Sequence, residues 1–397
     1  MKFLLHFTIL CTFLACIYFF FIHKKIWKTR GKVKYQNLLL NVIIVSVPII
    51  LCVIMLTKYK LPKHFQIKTL ATSGTKVKGI NWHYSPDGGN VFESGDNTIY
   101  VSNSEVLHDG GCNAIVIDNN GEVIDAYNVL NNTSNNCAGG KYGDIWWSCE
   151  EIEGGYIWQT YPKDKSKKSI RLDNIGTGVY EAVTYHKDTK TLYITEDKPD
   201  GNLFKYTPFD PNVPTKQGVK YYAKKNGNTI TWEQMDNVNK IIIGQFNGPE
   251  GIDQYEDKIY FATKGDNHVW EYDTNEHNSK EGNLNIIYDG SGNAKGLDNV
   301  FIDTDGNIWI SEDGDDMELN IMIRNKTNSS YQQPIPFLRL RYQYFSELTG
   351  PALDHDMMNL YFSSQRGYLG SVYFGRGITY RVHGNFKDWI EENRATI

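Results

Sequence analysis

A chain of 397 residues, 41% hydrophobic and 13% aromatic with 26 Tyr and 9 Trp, is long enough to bury a large core. Its formal net charge of −5 hides an asymmetry: residues 1–68 hold eleven of the 41 Lys and Arg and no acidic residue, which leaves 30 basic against 46 acidic side chains in the remainder. A globular part carrying about −16 excludes nucleic acid as a partner and favours bound cations.

Two apolar stretches open the chain, residues 3–22 and 38–57, each long enough to cross a bilayer as a helix. The loop between them, from His23 to Lys34, carries six basic residues. By the positive-inside rule that loop is cytoplasmic, so both ends of the hairpin and everything after residue 58 lie on the exoplasmic side. A cleaved signal peptide would account for the first stretch alone, but it would put the basic loop on the wrong side and send the large domain to the cytoplasm. The chain therefore reads as a membrane anchor over 1–64, a transmembrane helical hairpin, followed by a globular domain over 65–397.

From about residue 70, turn signals such as Asp87-Gly-Gly, Asn119-Asn-Gly, Asp200-Gly-Asn and Asp305-Gly-Asn alternate with short strands. No helical period is sustained before the last dozen residues, so the domain reads as all-β. One pattern recurs six times: a turn, an aliphatic or aromatic strand core, then small hydroxyl or acidic residues. It occurs as Thr98-Ile-Tyr-Val-Ser-Asn103, Asp144-Ile-Trp-Trp-Ser-Cys-Glu-Glu151, Thr191-Leu-Tyr-Ile-Thr-Glu-Asp197, Lys258-Ile-Tyr-Phe-Ala-Thr-Lys-Gly-Asp266, Asn307-Ile-Trp-Ile-Ser-Glu-Asp-Gly314 and Asn359-Leu-Tyr-Phe-Ser-Ser-Gln-Arg-Gly367. Intervals of 46 to 67 residues mark a stacked or circular array, and six units predict a six-bladed β-propeller. The stretch 207–239, rich in Pro, Lys and Asn, explains the one long interval and reads as an insertion between blades, a lid or a partner surface. Residues 275–285 read as a smaller surface loop. Sequons at Asn131, Asn132, Asn325 and Asn328 mark further surface loops.

Cys11, Cys16 and Cys52 lie in the apolar stretches and read as small lipid-facing residues. The globular part holds three cysteines, an odd number: a Cys112–Cys137 disulfide is expected, with Cys149 left free for a chemical role. His83, His186, His268, His355 and His383 are scattered without ligand spacing.

The repeats differ in one informative way. Nine to eleven residues before the strand core, where the preceding strand of a hairpin begins, three units carry an acid: Glu181, Glu250 and Asp298. The sixth unit has Gly350-Pro-Ala there. In a propeller the innermost strands all start at one end of the channel, so equivalent acids of three blades face one another. Carboxylates that close repel, and protons or cations must neutralise them; divalent or trivalent hard cations with oxygen ligands are the simplest answer. The second unit adds Cys149-Glu150-Glu151 at the mouth side of its strand, and a thiolate beside carboxylates points to a transition metal such as iron.

These segments, taken in order, resemble the PhoX-type alkaline phosphatase family from about residue 75 to 383. The resemblance rests on Asn136-Cys-Ala-Gly-Gly140 with Ile145-Trp-Trp-Ser-Cys-Glu-Glu151, Glu181-Ala-Val with Thr195-Glu-Asp, Gly248-Pro-Glu-Gly, Asp298-Asn with Asp305-Gly-Asn-Ile-Trp-Ile, and Thr349-Gly-Pro with Tyr361-Phe-Ser-Ser-Gln-Arg-Gly367. It implies a six-bladed propeller phosphomonoesterase with calcium and iron (Ca2+ and Fe3+) at one end of the channel, held by Cys149, Glu150, Glu181, Glu250 and Asp298. The implied chemistry is metal-assisted hydrolysis of a small phosphorylated substrate, with no side-chain nucleophile.

The chain departs from the family pattern at Gly248, where phosphatase members place an arginine that would grip phosphate bidentately. Arg366 is the candidate replacement, with Arg376 as a second. Two other functions compete with the phosphatase. One is a calcium-dependent lactonase or arylesterase of the six-bladed type, suggested by Asn299 beside Asp298. The other is a non-catalytic propeller in which calcium fixes the blades and 207–239 binds a partner.

Overall fold

The computed structural model describes residues 59–397 except 211–216, 275–280, 315, 344, 370–375 and 395–397. The expected membrane hairpin falls outside the described residues, among which no helix is long and apolar enough to cross a membrane. Residues Leu61–Ile397 form one compact unit.

The unit is all-β, in a propeller-like arrangement of antiparallel meanders. Six strands that open successive meanders are labelled here: β1 (Pro86–Ser94), β2 (Gly140–Tyr142), β3 (Gly178–His186), β4 (Pro249–Tyr255), β5 (Leu297–Ile302) and β6 (Leu348–Leu353). Each lies beside the next in chain order, and β6 lies against β1, so these strands close a ring around a channel. The recurring sequence core is the strand that follows each of them: Asn97–Ser104, Ile145–Cys149, Thr191–Glu196, Lys258–Thr263, Ile308–Glu312 and Asn359–Ser364.

Those second strands are buried along nearly their whole length, as in Thr191–Glu196 and Ile308–Glu312, where every residue is buried. A strand with one wet face would alternate; continuous burial means that neighbouring sheets cover both faces, which is why the cores read as unbroken apolar runs. The turn signals act through side chains. Asp303 Oδ1 accepts from the backbone N–H of Asp305 and Asn307, both at 3.0 Å, while Oδ2 accepts the indole N–H of fully buried Trp309 at 3.0 Å.

The last meander is completed by the first long strand of the unit. Gln66–Thr72 pairs antiparallel with Ile378–His383, giving the order Gln66–Thr72, Ile378–His383, Asn359–Ser364, β6. Chain ends joined in one sheet lock a circular array by backbone hydrogen bonds. The helix α1 (Phe386–Asn393) follows, its N-terminus capped by Asn385 Oδ1 accepting from Asp388 N–H at 3.1 Å, and Phe386 packs on Phe65 and Phe337.

The stretch 207–239, expected as an insertion, is largely ordinary sheet. Gly218–Asn226 is the fourth strand of the meander that begins with β3. Thr229–Gln234 then pairs both with it and with Glu281–Asp289 of the following meander, merging the two into one continuous sheet. The lysines that give this stretch its polar composition lie over aromatic faces: Lys220 Nζ is 4.3 Å from the Phe204 ring centroid and Lys225 Nζ 4.8 Å from that of Trp270.

Trp309→Ala should destabilise the unit by about 3–5 kcal/mol, combining a large cavity with the lost indole partner of Asp303, and Trp309→Phe by clearly less. Equilibrium urea unfolding would measure both; equal midpoints for the Ala variant and the parent would contradict the role assigned to this side chain.

Candidate functional site

The inner strands share an irregularity. Pairing with the second strand slips between Pro86 and Gly89, Tyr180 and Val183, Pro249 and Ile252, Leu297 and Val300, and Thr349 and Ala352. The residues inside these bulges are Asp87-Gly88, Glu181-Ala182, Glu250-Gly251, Asp298-Asn299 and Gly350-Pro351. A bulge breaks the two-residue alternation and re-aims one side chain, here the acid at the start of four of these five strands. Asp87, Glu181, Glu250 and Asp298 are 1, 1, 2 and 4% exposed.

The small residue after the acid is forced by close backbone approach. A Cβ on Gly88 would stand 2.0 Å from the Ala138 carbonyl oxygen, and one on Gly251 would stand 2.3 Å from Val300 N. Hydroxyls that end three of the sequence cores serve the bulge. Thr195 Oγ1 accepts from Ala182 N–H at 3.1 Å and donates to Ala182 O at 3.3 Å, while Ser102 and Ser311 reach Asp87 O and Asn299 O, each at 3.5 Å.

Ends of the second strands bring a second set of polar groups to the same place. Four three-residue groups each gather ligand atoms within 4.8 Å: Cys137, Glu151 and Glu181; Glu181, Glu250 and Asp298; Asp298, Asp313 and Glu347; Asp87, Glu105 and Glu347. Each shares a member with the next, through Glu181, Asp298 or Glu347, so eight carboxylates and one thiol form a continuous chain of contacts. Glu181, Glu250 and Asp298 thus meet as the repeat register implies. Asp87 belongs with them, although Asp87-Gly-Gly reads as a turn in sequence; it lies at the matching place before its own strand core. Glu105, Lys264, Asp313, Glu347 and Gln365 were missed, and Glu151 was named in its motif but not among the expected ligands. All but Glu347 carried a signal: each stands two or three residues after the Ser, Thr or Ala that closes the repeated core.

The cysteine expectations are corrected. Cys112, Cys137 and Cys149 are all free thiols, so no Cys112–Cys137 disulfide is formed. Cys112 lies in the third strand of its meander, packed with Phe92, Val101, Leu130 and Trp146, away from the channel-side loop that holds Cys137. Cys149 is sealed in an apolar cluster with Trp147, Ile157 and Leu172. Glu150, expected as a ligand, instead accepts the N–H of Ser134 at 3.0 Å and of Tyr156 at 2.9 Å, closing two loops. Cys137 and Glu151 stand at the site in their place. What moves Cys137 there is a buried polar brace: Asn103 Nδ2 donates to Cys137 O at 2.5 Å and Ala138 O at 3.0 Å, and Asn136 Nδ2 donates to Ser148 Oγ at 2.9 Å. Sequence proximity of Cys149 to two acids could not foresee this.

Among the described residues two cations pair with these carboxylates. Lys264 Nζ lies 2.9 Å from Glu250 Oε1, 3.0 Å from Asp298 Oδ2 and 3.2 Å from Asp313 Oδ2, and Arg366 Nη2 lies 3.1 Å from Glu347 Oε1. Burial works against the Lys264 ammonium, but Asp298, Glu250, Asp313 and Glu347 outweigh it and hold the group charged. Gln365 Nε2 donates to Asp87 Oδ2 at 2.8 Å and to Glu105 Oε2 at 2.6 Å. The carboxylates remain in excess. Burial, then Glu105 and Asp298, push Asp87 up to about 8; burial, then Glu105, push Glu151 up to about 9. Glu181 is raised well above the carboxylate range by burial, then by Glu250 and Glu151.

Glu181 is the clearest case. Both its oxygens are buried without a hydrogen-bond partner, a cost that a native site carries only where a proton or cation completes it. The oxygen-rich groups suit hard cations, and Cys137 with Glu151 and Glu181 suits a transition metal, so the donor set fits the ions expected from sequence.

No known family and no curated protein matches the chain by sequence. Its structure is similar to that of PhoX from Pseudomonas fluorescens in complex with vanadate, a transition state analogue, with a TM-score of 0.69 at 12% identity, covering 83% of this chain and 96% of that one. It is also similar to the gluconolactonase XC5397 from Xanthomonas campestris, with a TM-score of 0.50 at 11% identity, covering 81% and 90%. At such identities the likeness shows a shared propeller-type fold.

In metal-free protein the raised acids hold protons that the unfolded chain releases near pH 4. The folded state then binds more protons from about pH 4 up to about 9, so stability falls as pH rises through that window. After chelation and dialysis the melting temperature should drop by roughly 5 °C or more between pH 6 and pH 9, and the drop should shrink in Asp87→Asn/Glu151→Gln. A melting temperature that climbs with pH would refute this electrostatic picture.

Proposed function

We propose that the chain is a metal-dependent phosphomonoesterase of the PhoX type, a six-bladed propeller anchored to a membrane by its N-terminal hairpin with the catalytic unit on the exoplasmic side. The observation that carries the reading is Glu181, a fully buried carboxylate with two unpartnered oxygens that links the one thiol-bearing group to the rest of the carboxylates. The ring of inner strands supports the six-blade count, and the motifs from Asn136 to Gly367 support the family.

Cys137, Glu151 and Glu181 would hold iron, and Glu181 would share calcium with the oxygens of Glu250 and Asp298 that are not paired with Lys264. Such ions, when bound, supply charge neutralisation at the phosphoryl oxygens and an activated water. The chain's own residues do the rest. Arg366, one-third exposed and paired with Glu347, is placed to give its outer N–H groups to a phosphoryl oxygen at the edge of the ring. Gln365 keeps Asp87 and Glu105 in register beneath it, and the bulged strands hold the acids against their mutual repulsion. Gly248 has φ of 65°, a left-handed conformation in which a side chain is strained, so the cationic contact must come from elsewhere in the chain.

The lactonase alternative needs Asn299 as a ligand. Its amide is already spent: Nδ2 donates to Asp298 Oδ1 at 2.6 Å, and Oδ1 accepts from Gly350 N–H at 2.6 Å. The phosphatase reading is therefore preferred.

The full chain in detergent, loaded with iron and calcium, should hydrolyse p-nitrophenyl phosphate, and Glu181→Gln and Cys137→Ser should each lower turnover by more than ~100-fold, since even outer-shell changes cost 10–100-fold. Cys149→Ala should retain most turnover. Full activity in Glu181→Gln, or hydrolysis of a lactone with no phosphatase activity, would reject the assignment. In sealed vesicles protease added to the exoplasmic face should digest the globular unit, and digestion only from the cytoplasmic face would reverse the topology.

A further inference from the structure

Three carboxylates of the ring converge on a point that a side chain already occupies. Lys264 Nζ is within 2.9 to 3.2 Å of one oxygen each from Glu250, Asp298 and Asp313. One ammonium thus stands at ion-pair distance from three carboxylates, although Glu250 Oε1 makes no hydrogen bond to it. The lysine is planted by its backbone, since Lys264 N–H donates to Gly248 O at 2.8 Å, directly ahead of the strand that carries Glu250. The other side of the ring is different: Glu181 there keeps both oxygens unpartnered at 1% exposure.

We propose that Lys264 is a tethered cation standing in for one metal ion: it fills the Glu250–Asp298–Asp313 side of the ring and confines exchangeable metal to the sides lined by Glu181 and by Asp87. The inference rests on the reading that the ring binds metal, and it concerns how many ions and where. A hard cation and a lysine ammonium compete for the same oxygens, and the ammonium cannot diffuse away or be chelated. It holds Glu250 and Asp298 together in the absence of metal, so the remaining ligands need no rearrangement when an ion arrives. A protein built this way binds fewer hard cations than its carboxylates suggest.

Metal content per full-length chain, measured by elemental analysis after equilibration with Ca2+, or with Mn2+ as a spectroscopic probe, tests the proposal. Lys264→Met should bind one more divalent ion than the parent and gain a Ca2+-dependent rise in melting temperature, whereas Lys264→Arg should gain neither. Asp313→Asn in the parent background should leave metal content unchanged, because that corner holds an ammonium. Equal content in Lys264→Met and parent, or an ion lost in Asp313→Asn, overturns the proposal. Should Lys264→Met fail to fold even in Ca2+, the Asp313→Asn measurement decides alone. A parent that binds no metal while Lys264→Met binds one would defeat the phosphatase reading and overturn the confinement of metal to the Glu181 and Asp87 sides; a parent that binds metal through Glu181 with no gain in Lys264→Met would overturn the Lys264 assignment alone.

Discussion

Eight carboxylates crowded into one end of a channel are the constraint on which this structure turns. At a few ångströms in a poorly solvated site, such groups repel strongly enough to unfold a segment free to move. The protein meets the repulsion partly from within. Lys264 and Arg366 supply two positive charges, Gln365 donates to two carboxylates, and the raised pKa values show that the acids otherwise retain protons. What stays uncompensated is concentrated at Glu181, and that concentration makes it the place where an external cation has most to offer.

A rigid frame is needed to keep like charges together, and several repeats provide parts of the same device. The bulge turns the acid inward, a small residue allows the next inner strand to approach, and a hydroxyl from the second strand ties down the bulge backbone. These three features are the physical content of the motif that recurs through the chain. The hydroxyl looked like a strand ending in the sequence; in the fold it holds the neighbouring strand in its irregular path. Joining the first and last strands of the array closes the ring, so that no unit can drift outward under the load.

Much of this was legible without coordinates. The all-β character and propeller-like arrangement followed from six unbroken apolar cores separated by turn residues, because a strand covered on both faces has to be apolar throughout. The meeting of Glu181, Glu250 and Asp298 followed from their matched offsets. Asp87 escaped notice because Asp-Gly-Gly has the composition of a turn, and a bulged strand start uses the same residues for the same reason: they tolerate irregular backbone. Cys149 was mistaken for a site residue because it neighbours two acids. The chain leaves one sheet at Cys149 and enters the next at Glu151, so the thiol went into the core of the first while Glu151 reached the acids.

The sequence by itself determined the class of fold, the location of the acidic end and three of its acids, since these depend on periodicity and on local offsets that a linear reading preserves. Only the tertiary structure decided which cysteine faces the acids, that Lys264 sits among three of them, and that Glu181 alone among the ring acids keeps both oxygens without a partner. Those outcomes depend on contacts between residues tens to hundreds of positions apart, and on bulges that shift a strand by a residue. A pairing register is settled by how the sheets pack, and one residue of slip decides whether a side chain is core or ligand.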